Sequence, residues 1–163
     1  MEGLDYILHT TPIGALGLGC TGGRLSRVWF LGAREGQDLP LPPEPVLRQT
    51  VDELQAYFAG QLKRFTIPLA PSGSAFQLQV WEALCAIPWG ETRSYKDIAL
   101  ALDNLGAIRA VGMACNRNPL PLIIPCHRVI GSSGELVGFG GGLPLKRQLL
   151  EHERILPVQR ELF

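Results

Sequence analysis

The chemistry in this chain gathers around Ile124-Pro125-Cys126-His127-Arg128-Val129, where a thiol stands directly before an imidazole. A cysteine attacks as its thiolate, and a free pKa near 8.5 leaves only a few per cent of that form at neutral pH. A nearby imidazole can take the proton, and a carboxylate can orient the imidazole. Neighbouring side chains on an extended segment face opposite ways, so Cys126 and His127 meet only through a kink or a water molecule. Two readings stay open: an activated nucleophile, or a buried cysteine beside a satisfied histidine. Downstream, Gly138-Phe139-Gly140-Gly141-Gly142 holds four glycines in five positions. It lacks the lysine and spacing of a P-loop. It cradles a phosphate, or it lets backbone approach a flat ligand closely; the second suits a thiol neighbour.

The elements that must position these residues follow from periodicity. Residues 5–31 predict a β-meander with turns at Thr11-Pro12-Ile13-Gly14 and Thr21-Gly22-Gly23. Residues 35–45, with four prolines, predict a surface loop. Val46, Leu47, Val51, Leu54, Tyr57 and Phe58 share one helical stripe, with Gly60 at the C′ position. Phe65 to Leu69 predict a last strand, and Ala70-Pro71-Ser72-Gly73 a linker. Ser74 with Gln77 forms a capping-box pattern ahead of the stripe Phe76, Val80, Leu84 and Ile87, with Trp81 and Cys85 beside it. Pro88-Trp89-Gly90 is expected to end that helix. Ser94 with Asp97 caps a short helix to about Leu102, and Asp103-Asn104-Leu105-Gly106 is a helix-turn-helix connection. The next helix, residues 107–116, is thin: Ala107, Ala110, Gly112 and Ala114. It either packs closely on a neighbour or is slim enough for a narrow groove. Residues 120–124 read as a buried extended segment, Gly131-Ser132-Ser133-Gly134 as a turn, Leu145, Leu149, Leu150 and Ile155 as a last helix, and 157–163 as a tail.

Composition bounds what surrounds this. The 163 residues are 46% apolar and 18% charged, which suits a globular chain of one domain or two small ones. Fifteen basic residues balance fifteen acidic ones, which argues against a broad electrostatic nucleic-acid binder but leaves room for a small basic face. No apolar run reaches the ~20 residues of a membrane helix. The start shows no basic, apolar secretory pattern, so a cytoplasmic protein is expected, nuclear in a eukaryote. The four cysteines (Cys20, Cys85, Cys115, Cys126) could form two disulfides; the expected compartment favours reduced thiols. With no CxxC and only His9, His127 and His152, no metal is expected, though His9 and Cys20 are close in sequence.

Ile124-Pro125-Cys126-His127-Arg128-Val129-Ile130 resembles the signature of the 6-O-methylguanine-DNA methyltransferases. Phe76-Gln77, Val80-Trp81, Ile87-Pro88-Trp89-Gly90-Glu91-Thr92, Tyr95, Arg109-Ala110-Val111-Gly112, Asn118-Pro119 and Leu149-Leu150-Glu151-His152-Glu153 resemble that family in the same order, over residues 74–153. The resemblance implies an α/β (α+β) fold. A small N-terminal α/β domain with an antiparallel sheet spans 1–72, and a winged-helix-like helix-turn-helix domain spans 73–163. It implies stoichiometric, irreversible transfer of an alkyl group from 6-O-alkylguanine to a cysteine. No cofactor is implied. The implied partner is double-stranded DNA approached from the minor groove by a monomer.

The same resemblance implies residue roles. Cys126 is the acceptor, His127 its base through water, and Glu153 the carboxylate behind His127. Tyr95 neutralises the departing guanine. Asn118 ties the recognition helix to the active segment. Arg109, beside Ala110, fills the gap left by a flipped nucleotide; by charge alone, and not by the resemblance, Arg93, Lys96, Arg117 and Arg128 are expected to contact phosphates. Val129, Val137, Phe139 and Gly140 form the base pocket. Phe139 stands where tyrosine is frequent, Gly140 where some relatives carry a hydroxyl, and Val137 is expected to narrow the pocket. Cys20 does not complete the zinc set some relatives carry. A damage sensor of the same fold would lack Cys126, and a cysteine hydrolase would need His9 or His152 as its base.

Overall fold

The computed structural model describes residues 5–32 and 44–156. Strands β1 (Asp5–Thr11), β2 (Gly14–Thr21) and β3 (Arg24–Gly32) form the expected meander, antiparallel in the order β1-β2-β3. Its first turn is closed by the Thr11 hydroxyl, which donates to Gly14 O at 2.7 Å. Gly17 is required by packing: a Cβ there would lie 1.9 Å from the Trp29 indole on β3. Helix α1 (Pro45–Phe58) lays Val46, Leu47, Val51, Leu54 and Tyr57 on the sheet and stops at Gly60, whose φ of +76° is the left-handed turn a C′ glycine supplies. The loop expected over 35–45 lies outside the described residues except at its end, where Pro45 already opens α1. The expected tail, 157–163, also lies outside them.

The strand expected over 65–69 does not form. Only Leu69 bridges Leu25, with Leu25 N donating to Pro68 O and Ala70 N to Leu25 O. Pro68 has no N–H, so a ladder cannot run through it.

Helix α2 (Ala75–Cys85) opens with the expected Ser74–Gln77 capping box. It ends at Cys85, before the Pro88-Trp89-Gly90 stop, and Ile87 is buried from the turn that follows. Helix α3 (Tyr95–Ala101) carries the Ser94–Asp97 box, and α4 (Ile108–Asn116) follows after one 3-10 turn at Leu105–Ala107. The short strands β4 (Arg93–Ser94) and β5 (Val129–Ile130) pair in parallel, and α5 (Leu143–His152) closes the described chain. Residues 120–124 are buried as expected but turned rather than extended: Leu122 has φ +75°, and Ile124 N donates to Leu120 O at 2.8 Å.

Buried apolar side chains form one cluster running from Ile7 on the sheet to Leu149 on α5. Val28 N on β3 donates to Pro119 O, and the Trp81 indole on α2 donates to Ala114 O. The sheet and the helical half therefore form a common platform beneath residues 118–130.

Candidate active site

The chain reaches the thiol through Pro125 and enters a 3-10 turn at Cys126–Arg128. Successive side chains on such a turn are rotated by about 120° rather than alternating across a strand. This turn breaks the strand-like alternation: His127 and Arg128 both reach Glu153, while the Cys126 thiol lies in a separate setting near Asn118 and Lys146.

His127 is fully buried, and its Nε2 lies 2.7 Å from Glu153 Oε2, just past the end of α5. Arg128 donates through Nε to Glu153 Oε1 at 2.6 Å and through Nη2 to Oε2 at 3.1 Å. Its Nη1 donates to Ile87 O at 2.6 Å. The Tyr57 hydroxyl on α1 donates to Glu153 Oε2 at 2.5 Å. Burial opposes ionisation of Glu153, but the hydrogen bonds and charges of His127 and Arg128 outweigh it and hold the carboxyl at about 2. Burial drives His127 below its ordinary value, partly offset by Glu153. At neutral pH a neutral imidazole therefore donates Nε2–H to an ionised carboxylate. Its Nδ1 is left as an acceptor, and that buried atom has no hydrogen-bond partner among the described residues.

Cys126 is 6% exposed. Burial pushes its thiol up, while a hydrogen bond from Asn118 and the Lys146 charge pull it back. Asn118 also donates to Ile124 O at 2.9 Å and accepts from Leu120 N, so it links the end of α4 to the active turn. Lys146 is wholly buried, with Nζ on Val129 O at 2.6 Å, Val137 O at 2.9 Å and Gly138 O at 3.3 Å. The Tyr95 hydroxyl donates to the same Val137 O at 2.8 Å. Burial first, then the Cys115 and Cys126 thiols, push the Tyr95 phenol up to about 12, so it stays protonated at neutral pH. Cys115, buried on α4, is likewise pushed up to about 12 by burial and the Cys126 thiol.

One sequence expectation is corrected here. Arg128 is not available to a phosphate, because its guanidinium is buried and committed to Glu153 and Ile87. Val137 acts at this site through its carbonyl while its side chain is exposed. Phe139 tilts against Phe30 of the sheet at 5.8 Å, and Gly140 is exposed. A cleft of about 380 Å³ opens among Tyr95, Ile108, Gly112, Asn116, Glu135 and Val137. Arg109 and Ala110 are exposed on α4 beside Ile108 and Met113. Arg117 lines a separate groove of about 720 Å³ with Arg27 and Trp29 of β3. The small residues of the thin helix thus divide: Ala107 and Ala114 are buried, and Ala110 faces outward.

Lys146 and Tyr57 were missed as site residues. Lys146 sits on the Leu149–Leu150 face of α5, and a lysine on an apolar helical stripe is the signal that could have found it. Tyr57 read as core, and only the tertiary structure brings its hydroxyl to residue 153. For metals, Asp5, Cys20 and Glu44 place one ligand atom each within 4.8 Å of one another, away from the Cys126 turn.

A shielded thiol, a neutral imidazole and an ionised carboxylate, set with a helix-turn-helix, have the chemistry a cysteine group-acceptor on a nucleic-acid-binding unit needs. Residues 75–155 match the family described as 6-O-methylguanine DNA methyltransferase, DNA binding domain. Residues 4–71 match 6-O-methylguanine DNA methyltransferase, ribonuclease-like domain. A methylated-DNA–protein-cysteine methyltransferase of Methanosarcina barkeri is 44% identical over 151 residues, covering 91% of this chain and 96% of its own. That of Mycobacterium tuberculosis is 47% identical over 153 residues, covering 93% of each chain. The crystal structure of Mycobacterium tuberculosis OGT in complex with DNA superposes with a TM-score of 0.80 at 46% identity, over 90% of this chain and 91% of that one. The chain belongs to the 6-O-methylguanine DNA methyltransferase family.

Proposed function

We propose that this protein repairs DNA by moving the alkyl group of a 6-O-alkylguanine onto Cys126, once per molecule. It is a methylated-DNA–protein-cysteine methyltransferase with DNA as its partner. The observation that carries the residue assignment is the buried contact of His127 Nε2 with Glu153, which leaves Nδ1 as the acceptor on the residue that follows Cys126 in the chain.

The Cys126 proton passes through one water to His127 Nδ1, and Glu153 stabilises the imidazolium that forms. The thiolate attacks the alkyl carbon. An S–C bond forms, the C–O6 bond breaks, and its electron pair stays on the guanine. Tyr95, protonated at neutral pH, turns its O–H from Val137 O toward guanine N3 and neutralises that charge. A thioether is a poor leaving group, so no second turnover follows.

A stacked base cannot reach a thiol that is 6% exposed, so the nucleotide is extruded at a cost of a few kcal/mol. Arg109, exposed at the start of α4, fills the vacated stack. Ala110 lets the helix sit in the minor groove, and Arg93, Lys96 and Arg117 meet phosphates. Val129, Phe139, Gly140 and the Val137 carbonyl border the base pocket. The protein works as a cytoplasmic monomer, with 1–72 as the supporting domain and 73–163 as the DNA-binding one.

Intact mass after incubation with a duplex carrying one 6-O-methylguanine tests this. The protein is expected to gain one methyl group, and Cys126→Ala none. An unchanged wild-type mass with tight lesion binding would instead make it a sensor.

A further inference from the structure

Glu153 is a shared acceptor, and one of its donors comes from the other half of the molecule. Oε2 receives the Tyr57 hydroxyl at 2.5 Å, His127 Nε2 at 2.7 Å and Arg128 Nη2 at 3.1 Å, while Oε1 receives Arg128 Nε at 2.6 Å. Tyr57 belongs to α1, which packs on the N-terminal sheet. Its ring is held by Phe65, stacked at 5.2 Å, and by the edges of Phe58 and Trp89 at 4.9 and 5.5 Å. His152 touches the same ring at 4.9 Å and bonds Tyr57 O through Nε2 at 2.8 Å. That cage over-determines where a hydroxyl points. Apolar packing alone would be met by phenylalanine.

We propose that Tyr57 is a positioning residue for alkyl transfer: through Glu153 Oε2 it sets the orientation and the proton affinity of His127. This rests on the assignment of Cys126, His127 and Glu153 given above.

The physical basis is competition for one oxygen. Each donor on Oε2 spreads the carboxylate charge and weakens its hold on the others. The charged and titratable groups facing the pair are Arg128 from the active turn, Lys146 from α5 and Tyr57 from α1. Cys85, the last residue of α2, lies within reach of the Arg128 charge. Of these, Tyr57 alone touches Glu153 from the N-terminal half. Removing its hydroxyl concentrates the carboxylate's charge on His127 and makes the imidazole more basic. The base then stays protonated, and idle, to a higher pH.

The test uses the full chain as wild type, Tyr57→Phe and Cys126→Ala. Single-turnover transfer from a duplex carrying one 6-O-methylguanine is followed against pH, and the imidazole nitrogen shifts of His127 are titrated by NMR. Tyr57→Phe is expected to keep transferring, with its acid limb and its His127 titration both moved up by about half a unit or more. The His127 titration decides: unchanged in Tyr57→Phe, it makes Tyr57 a stitch between the two halves and overturns the proposal. Should that variant not fold, Phe65→Leu loosens the ring and leaves the hydroxyl; a smaller upward shift supports the proposal and none overturns it. Failure of the wild type to transfer, or transfer by Cys126→Ala, would defeat the underlying assignment instead, and the His127 titration would still decide the part played by Tyr57.

Discussion

Replacing Glu153 by glutamine removes the charge at the centre of the site while keeping its shape. Four hydrogen bonds converge on this carboxylate, from Tyr57, His127 and twice from Arg128, and no part of it reaches solvent. The substitution strands the Arg128 guanidinium without a counter-ion in the interior, a loss of about 3–5 kcal/mol at pH 7. The folded carboxyl is held at about 2 against an ordinary 4.5, which corresponds to about 3 kcal/mol of stabilisation. The sign follows from the depressed value. The stabilisation is complete above the unfolded value of 4.5 and is lost as pH falls toward about 2. By pH 3 about 2 kcal/mol of it is gone. Guanidinium unfolding of wild type and Glu153→Gln between pH 7 and 3 reads this directly. The gap between the two proteins should narrow by about 2 kcal/mol on acidification. Asp97 and Glu135, the exposed acids whose carboxyls are also held low by nearby serines, titrate in both proteins and cancel in the difference. A gap that stays constant, or widens, refutes the reasoning.

Lys146→Met leaves the carbonyls of Val129, Val137 and Gly138 without their shared donor and takes a cation away from the thiol. The variant should lose about 2–4 kcal/mol of stability, and Cys126 should react more slowly with iodoacetamide at neutral pH, read by mass. Arg109→Ala should slow transfer from duplex DNA about tenfold or more, in line with the cost of extruding a base. The free base 6-O-methylguanine, which needs no extrusion, should react with that variant at the wild-type rate; equal losses on both would remove Arg109 from that role.

Local elements were legible wherever a short-range rule governs them. The Ser74 and Ser94 capping boxes, the turn at Gly14, the α1 stripe and the C′ glycine at Gly60 each depend on residues within a few positions of one another. Errors came where the outcome depends on distant partners. Residues 65–69 carry strand-like side chains, yet only Leu69 finds a partner, Leu25 on β3. Residues 120–124 are apolar enough for a strand but fold back at Leu122. Arg128 reads as a phosphate contact on a basic stretch, and its fate was decided by a carboxylate 25 residues away.

By itself, the sequence determined the candidate thiol and its neighbour, the helix-turn-helix and the order of the elements, because these are written in contiguous motifs. Tertiary structure decided how the thiol is controlled. The 3-10 turn carries Cys126, His127 and Arg128, and the last two converge on Glu153. Glu153 arrives from the end of α5, Lys146 from its buried face and Tyr57 from the other half of the chain. Hydrogen bonding and charge in a buried site depend on distance in space, and residues 96 positions apart in the chain meet at a single carboxylate oxygen.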